Sequence, residues 1–387
     1  MFSSRSGFDL TPNTLALKLA ELIERRREVI DLTVSNPTAL NIEYPNDEIL
    51  RTLTSPLVLT YEPDPKGRRS AREAVRKIYL ERQIDLDLDD ILLTASTSEA
   101  YGYLFKLLAD PGDRILVPAP SYPLFPFLAA LESVEIVTYP LHFADDWICD
   151  LDELDRLASQ CHPRSILVVH PNNPTGSFLR EHELEFIRRI CRREDAALVC
   201  DEVFVDFRLD EIEPTDPATD ESVLTFILNG LSKMLLLPQL KLGWIVLRGP
   251  KSKRALARER LELIADTFLS VNSMSQAALG PLLEWKEPLQ SRALDRLRRN
   301  LDELNTQLGG RDERLLPVGG GWSAVVRLPA IDSDEAFCLQ LLEERGVLVH
   351  PGSFFGFASP GHFVVSLLSE PEQLARGIRS LLDWRRD

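Results

Sequence analysis

The predicted fold class is α/β: a large domain on a mostly parallel sheet, followed by a small α+β domain. Three observations predict it. From about Asn46 onward, short apolar runs alternate with segments of helical period; the runs are Ile91–Leu93, Ile115–Pro118, Ile166–His170, Ala197–Cys200, Val223–Leu228 and Trp244–Leu247. The runs are continuously apolar, as strands covered by helices on both faces must be. Toward the C-terminus the pattern changes to a shorter mixture of strands and helices after a charged helical connector.

In chain order, Leu15, Leu19, Leu22 and Ile23 recur at helical spacing between Thr11 and Arg27, and Val29–Asn36 predicts a strand running into a Pro-bearing loop. These residues make an arm, 1–45. The large domain is expected over 46–285. Lys251–Leu263, charged with periodic leucines, and the helical pattern Pro288–Leu308 form the connector. The small domain, 286–387, is expected to hold Leu315–Pro317, Trp322–Leu328, a helix over Ser333–Arg345, strands at Val347–His350 and Phe363–Leu367, and a last helix over Glu372–Trp384.

The 387 residues suffice for such a pair of units, and 44% hydrophobic with 27% charged residues is a globular composition. A net charge of −16 opposes nucleic-acid phosphates and anionic membranes, so a small metabolite is the expected partner. The five cysteines are odd in number and form no CxxC pair, which argues against a zinc cage or a disulfide framework and for a reducing compartment. The first ten residues carry no signal-peptide pattern and no apolar run reaches membrane-spanning length, so a cytoplasmic location is expected. GxxxxGK, HExxH and GxSxG strings are lacking; His182-Glu183 begins a zincin-like string that ends on Phe186.

Open α/β sheets bind ligands at the carboxyl ends of their strands, so the residues beyond each apolar run are the functional candidates. Beyond Ile91–Leu93 stands Thr94-Ala95-Ser96-Thr97-Ser98-Glu99-Ala100. Its free N–H groups and hydroxyls suit a phosphate dianion, or serve only to cap the helix through Ser96 or Thr97 with Glu99. In Pro118-Ala119-Pro120-Ser121-Tyr122-Pro123 a stiffened loop presents Tyr122, which suits either stacking on a flat ligand or packing at a surface. His170-Pro171-Asn172-Asn173-Pro174-Thr175-Gly176 fixes a turn whose two carboxamides can donate to an oxygen. Asp201-Glu202 ends the run Ala197–Cys200; a carboxylate buried there is costly unless it meets a cation such as a protonated ring nitrogen, the alternatives being that Asp201 caps the following turn or pairs with a structural arginine. Asn229-Gly230-Leu231-Ser232-Lys233 follows Val223–Leu228, and a lysine in so apolar a stretch has a depressed pKa and a neutral amine that can attack an aldehyde.

In this order and spacing the strings resemble the class I/II aminotransferases, pyridoxal-5′-phosphate (PLP) enzymes of fold type I, over nearly the whole chain. The resemblance implies that Lys233 binds PLP as a Schiff base and later moves the proton between the substrate α-carbon and the cofactor. It implies that Asp201 keeps the ring nitrogen protonated, that Tyr122 stacks on the ring, and that Asn173 hydrogen-bonds the phenolic oxygen. Thr97, Ser98 and Ser232 would serve the phosphate, with Lys241 where the family usually has an arginine. Tyr61, in Tyr61-Glu62-Pro63-Asp64-Pro65-Lys66-Gly67, matches a tyrosine that reaches the neighbouring subunit's phosphate, which implies a homodimer. Asn36, in Ser35-Asn36-Pro37-Thr38, matches the substrate-side loop, and Pro351-Gly352-Ser353 matches a turn in the small domain. The implied reaction is transfer of an amino group from an amino acid or amine to a 2-oxo acid; a PLP-dependent lyase, decarboxylase or synthase is the alternative. The chain departs from the family pattern at Phe204, where a tyrosine is common, at Gly230, where a hydroxyl is common, and at Val364 or Val365, where an arginine for the substrate carboxylate is expected.

Overall fold

Every residue of the strands Ser165–Val169, Ala197–Asp201 and Thr225–Gly230 is buried, which is why their sequences lack polar alternation. The computed structural model describes residues 1–39, 41–211, 215–329 and 331–385. Its main sheet has the order Ile91–Thr94, Gly243–Arg248, Thr225–Gly230, Ala197–Asp201, Ser165–Val169, Arg114–Ala119, Glu135–Phe143, Trp147–Cys149. The sheet is mostly parallel, as expected; Gly243–Arg248 and Trp147–Cys149 run against their neighbours. Side chains alternate between two apolar layers: Ile166, Val168, Leu198 and Cys200 enter one, Leu167, Val169, Ala197 and Val199 the other. Burying each such aliphatic side chain is worth about 1.5–3 kcal/mol. The strand Glu135–Phe143 escapes a search for apolar runs because most of its residues are only half-buried, with Glu135 and His142 exposed.

A second, antiparallel sheet has the order Arg314–Leu315, Ser323–Arg327, His362–Ser366, His350–Pro351. The arm is sewn to this end of the molecule, because Ile30–Asp31 pairs in parallel with Val347–Leu348 and the helix Thr14–Glu24 packs on the helix Asp334–Arg345. The strand expected over Val29–Asn36 is therefore only two residues long. Beyond it Leu32 gives its carbonyl to Ser366 N–H, and the Asp31 carboxylate draws Thr33 into a turn by accepting from both its N–H (2.8 Å) and its hydroxyl (2.6 Å). The expected strand Val347–His350 is likewise divided between two partners, the arm and His362–Ser366.

One close approach ties the two sheets together. Gly176, at φ +71°, accepts at its carbonyl from Gly320 N–H (2.9 Å), and a Cβ at Gly176 would lie 2.6 Å from the Gly320 carbonyl oxygen. Only glycine fits there.

Candidate active site

The carboxyl ends of the central strands open into a cavity of about 270 Å³. Six of the residues singled out from sequence line it: Thr97, Tyr122, Asn173, Asp201, Ser232 and Lys233.

Lys233 is delivered by a tightly fixed turn. Asn229, at the end of its strand, donates through Nδ2 to the Glu202 carbonyl (3.0 Å) and accepts at Oδ1 from Gly230 N–H (2.7 Å). A Cβ on Gly230 would stand 2.8 Å from the Leu242 carbonyl oxygen and 2.9 Å from Gly243 Cα. The backbones approach too closely for a hydroxyl side chain, which accounts for the glycine where the family commonly has one. The short helix Leu231–Met234 then turns Ser232 and Lys233 toward the cavity. Burial pulls the Lys233 amine down to about 8, and the Asp201 carboxylate pulls it partly back. Its Nζ lies 4.7 Å from the Trp322 ring centre and 5.5 Å from that of Phe204.

Asp201 is the last residue of a fully buried strand. Its Oδ2 accepts from the Tyr101 hydroxyl (2.8 Å) and its Oδ1 from Val203 N–H (3.1 Å). Burial raises its pKa to about 6 against the opposing pull of these two donors and of Lys233. Tyr101 was not foreseen from sequence. The available signal was its spacing, four residues after Thr97, which puts it on the same face of the helix Thr97–Leu108.

At the start of that helix the capping reading of the hydroxyl string is realised. Ser96 caps the helix by accepting from Glu99 N–H (3.1 Å), and Glu99 reaches back to Ala95 N–H (2.7 Å). Capping thus falls to Ser96, and the Thr97 hydroxyl is left to the cavity wall. The Ser98 side chain meets Tyr122, whose phenol is raised by burial and then by the Asp201 charge. The two asparagines of the Asn-Asn string divide in the same way. Asn172 is buried and committed to Ser121, the Pro120 carbonyl and Thr175. Asn173 faces the cavity, where its Oδ1 accepts from Ser323 Oγ (3.3 Å).

Ser98 and three further candidates lie outside the wall. Asn36 is exposed, its Oδ1 taken by the Thr38 N–H and hydroxyl, although its neighbour Ser35 lines the cavity. Lys241 is exposed at φ +50°, next to the lining residue Leu242. Tyr61 is 76% exposed on the outer surface of the chain. Val364 and Val365 are buried, Val364 against Trp147, Leu316 and Val325. Trp322, an unforeseen wall residue, follows three glycines whose signal is visible in the sequence.

A lysine on the short helix beyond a strand, a buried aspartate and a helix N-terminus around one cavity are what the sequence resemblance requires. The family profile of aminotransferase class I and II matches residues 27–381. The chain belongs to the class I and II aminotransferase family. A glutamate–pyruvate aminotransferase of Escherichia coli is 28% identical over 374 residues, covering 92% of this chain and 91% of the relative. An alanine aminotransferase of Mycobacterium tuberculosis is 28% identical over 376 residues, covering 94% and 86%. A solved aminotransferase from Escherichia coli superposes with a TM-score of 0.87 at 26% identity, over 99% and 98% of the two chains. An alanine aminotransferase from Pyrococcus furiosus shares the fold with a TM-score of 0.91 at 24% identity. This aminotransferase is therefore a fold type I enzyme that moves an amino group between an amino compound and a 2-oxo acid, and the comparisons give no support to lyase, decarboxylase or synthase chemistry.

Proposed function

We propose that the cavity is a PLP site and that the enzyme transfers the amino group of a small α-amino acid to a 2-oxo acid. The observation that carries this reading is the juxtaposition of a buried amine, Lys233, whose pKa burial lowers, with a buried carboxylate, Asp201, on one cavity wall. Bound PLP supplies an electron sink for the substrate α-carbon. Lys233 Nζ would hold the cofactor by its aldehyde carbon, and the same amine is placed to take a proton from the substrate α-carbon or return it. Asp201 would hold the proton on the ring nitrogen, with the Tyr101 hydroxyl keeping the carboxylate in place. Tyr122 offers a ring for stacking, and Asn173 a carboxamide for the phenolic oxygen. Thr97, Ser98, Ser232 and the first-turn N–H groups suit the phosphate, with Lys241 as the nearby charge.

Alanine and glutamate are the first donors to test, because the relatives are alanine and glutamate–pyruvate aminotransferases. Val364 and Val365 offer no charge to the substrate carboxylate. We assign that contact to the carboxamide of Asn173 and the backbone of the loop Ser35–Thr38, whose turn Asn36 holds. Further parts of the reading are a homodimer in which Tyr61 reaches the partner's phosphate, a cytoplasmic setting suited to five free cysteines, and a division into arm 1–45, large domain 46–285 and small domain 286–387.

Borohydride reduction of PLP-saturated enzyme followed by peptide mapping tests the site: label on Lys233 is expected, and label on another lysine sinks the assignment. Half-reactions with alanine, glutamate and ethylamine test the substrate. Reaction of ethylamine at the rate of alanine would remove the carboxylate from the recognition altogether. Sedimentation, with complementation between Tyr61→Ala and Lys233→Ala, tests the dimer.

A further inference from the structure

Two aromatic rings stand around the Lys233 amine where hydrogen-bonding groups would be more usual. Trp322 is 4.7 Å from Nζ and Phe204 5.5 Å, both ring centres within the ~6 Å over which a π face attracts a cation. The rings are fixed with respect to each other, with centres 5.3 Å apart at 67°. Phe207 braces Trp322 from behind at 5.1 Å and 71°. The backbone ties the same pieces together, since Gly321 N–H donates to the Phe207 carbonyl (2.8 Å) and Leu209 N–H to that of Gly319 (2.8 Å). The seat is thus built by two parts of the chain held in register and does not depend on side-chain chance.

We propose that Phe204 and Trp322 form a two-faced aromatic seat for the ammonium form of Lys233 and are positioning residues for the amine that carries the proton. The proposal rests on the reading of Lys233 as that amine. A proton taken up at Nζ creates a buried cation, and the two π faces receive it without a hydrogen bond that would fix its direction. Asp201 supplies the opposite charge from the neighbouring strand. The other titratable groups nearby are the Tyr122 phenol across the cavity, Lys241 at the end of the 3-10 turn Pro238–Leu240 packed on the Lys233 helix, and Asp206 on the Phe204 loop, which is paired with Lys286 (3.1 Å).

The sign of one measurement separates this seat from a merely apolar wall. Loss of a π face disfavours the ammonium and lowers the titration midpoint of Lys233, whereas loss of bulk alone admits water and raises it. The midpoint is read by competitive acetylation of Lys233 against pH, with mass spectrometry, on the full chain freed of cofactor by hydroxylamine. Trp322→Leu is expected to lower the midpoint by about half to one pH unit. Phe204→Leu should lower it by less, in line with the longer distance, and Trp322→Phe should restore most of the wild-type value. An unchanged or raised midpoint in the leucine variants overturns the seat. Phe204→Leu, the smaller change, decides alone if Trp322→Leu does not fold. A borohydride label away from Lys233 overturns the cofactor reading instead, so the two failures are distinguishable.

Discussion

Asp201 and Glu202 are neighbours in sequence, both buried, yet they are supplied in opposite ways. Glu202 is met by the Arg82 guanidinium at 2.7 and 3.1 Å, and Arg82 also reaches Asp216 at 2.7 Å while lying over the Tyr79 ring. Asp201 has neutral donors, Tyr101 and the Val203 N–H, and the cation whose charge reaches it is Lys233. Burial pushes both carboxyls up; on Glu202 a fixed guanidinium answers it, and on Asp201 a movable amine. A closed ion pair anchors structure, whereas a carboxylate left short of a fixed cation beside a cavity is prepared for a cationic ligand atom.

Substitutions on the two sides should separate these roles. On the cavity side, Lys233→Ala should lower transamination by a thousandfold or more, on the order of 4 kcal/mol of barrier. Retention of a tenth of the rate in single-turnover assays would move the chemistry to another group. On the closed side, Arg82→Ala leaves Glu202 buried without its cation and should cost about 3 kcal/mol in urea unfolding, with Asp201 chemistry little changed once the protein is folded. A cost under about 1 kcal/mol would mean that this face is no anchor.

Asp201→Asn tests the open side through pH. The folded pKa of about 6 lies above the ordinary 3.8, so folding favours the protonated form. The stability this group contributes is full below about pH 4 and is lost as pH rises through about 6. Cofactor-free Asp201→Asn should therefore be more stable than wild type at neutral pH, by on the order of 2 kcal/mol, with the gap closing on acidification. Thermal melts at several pH values check this, and a gap that widens toward acid would reverse the argument. The smallest effect is expected from Tyr101→Phe, which removes one donor to a buried carboxylate and should cost about 1 kcal/mol at neutral pH.

The strand ends were legible because chemistry and burial coincide there: a lysine or an aspartate at the end of an apolar run has few structural explanations. Order and direction in the sheet were less so, since Gly243–Arg248 is as apolar as its parallel neighbours and nothing local marks it as reversed. Tyr101 and Trp322 were missed for a related reason. Each is an aromatic residue that any core would accept, and its contact with Asp201 or Lys233 spans one hundred or eighty-nine positions and exists only in three dimensions. The division of work between Asn172 and Asn173 was legible only through the family resemblance, because local sequence does not say which carboxamide the loop turns inward.

The pairing of Ile30–Asp31 with Val347–Leu348 also bears on how the chain is made. A ribosome emits residue 30 long before residue 347, and at ~5–20 residues per second the interval is about 15–60 s. Throughout that time the arm has no strand to join, while the central sheet can already assemble from contacts made earlier in synthesis. The arm, made well before its partner strand, is thus among the last segments to be locked, and closure of this small sheet is a late, long-range event whose rate depends on how quickly two segments distant in sequence meet.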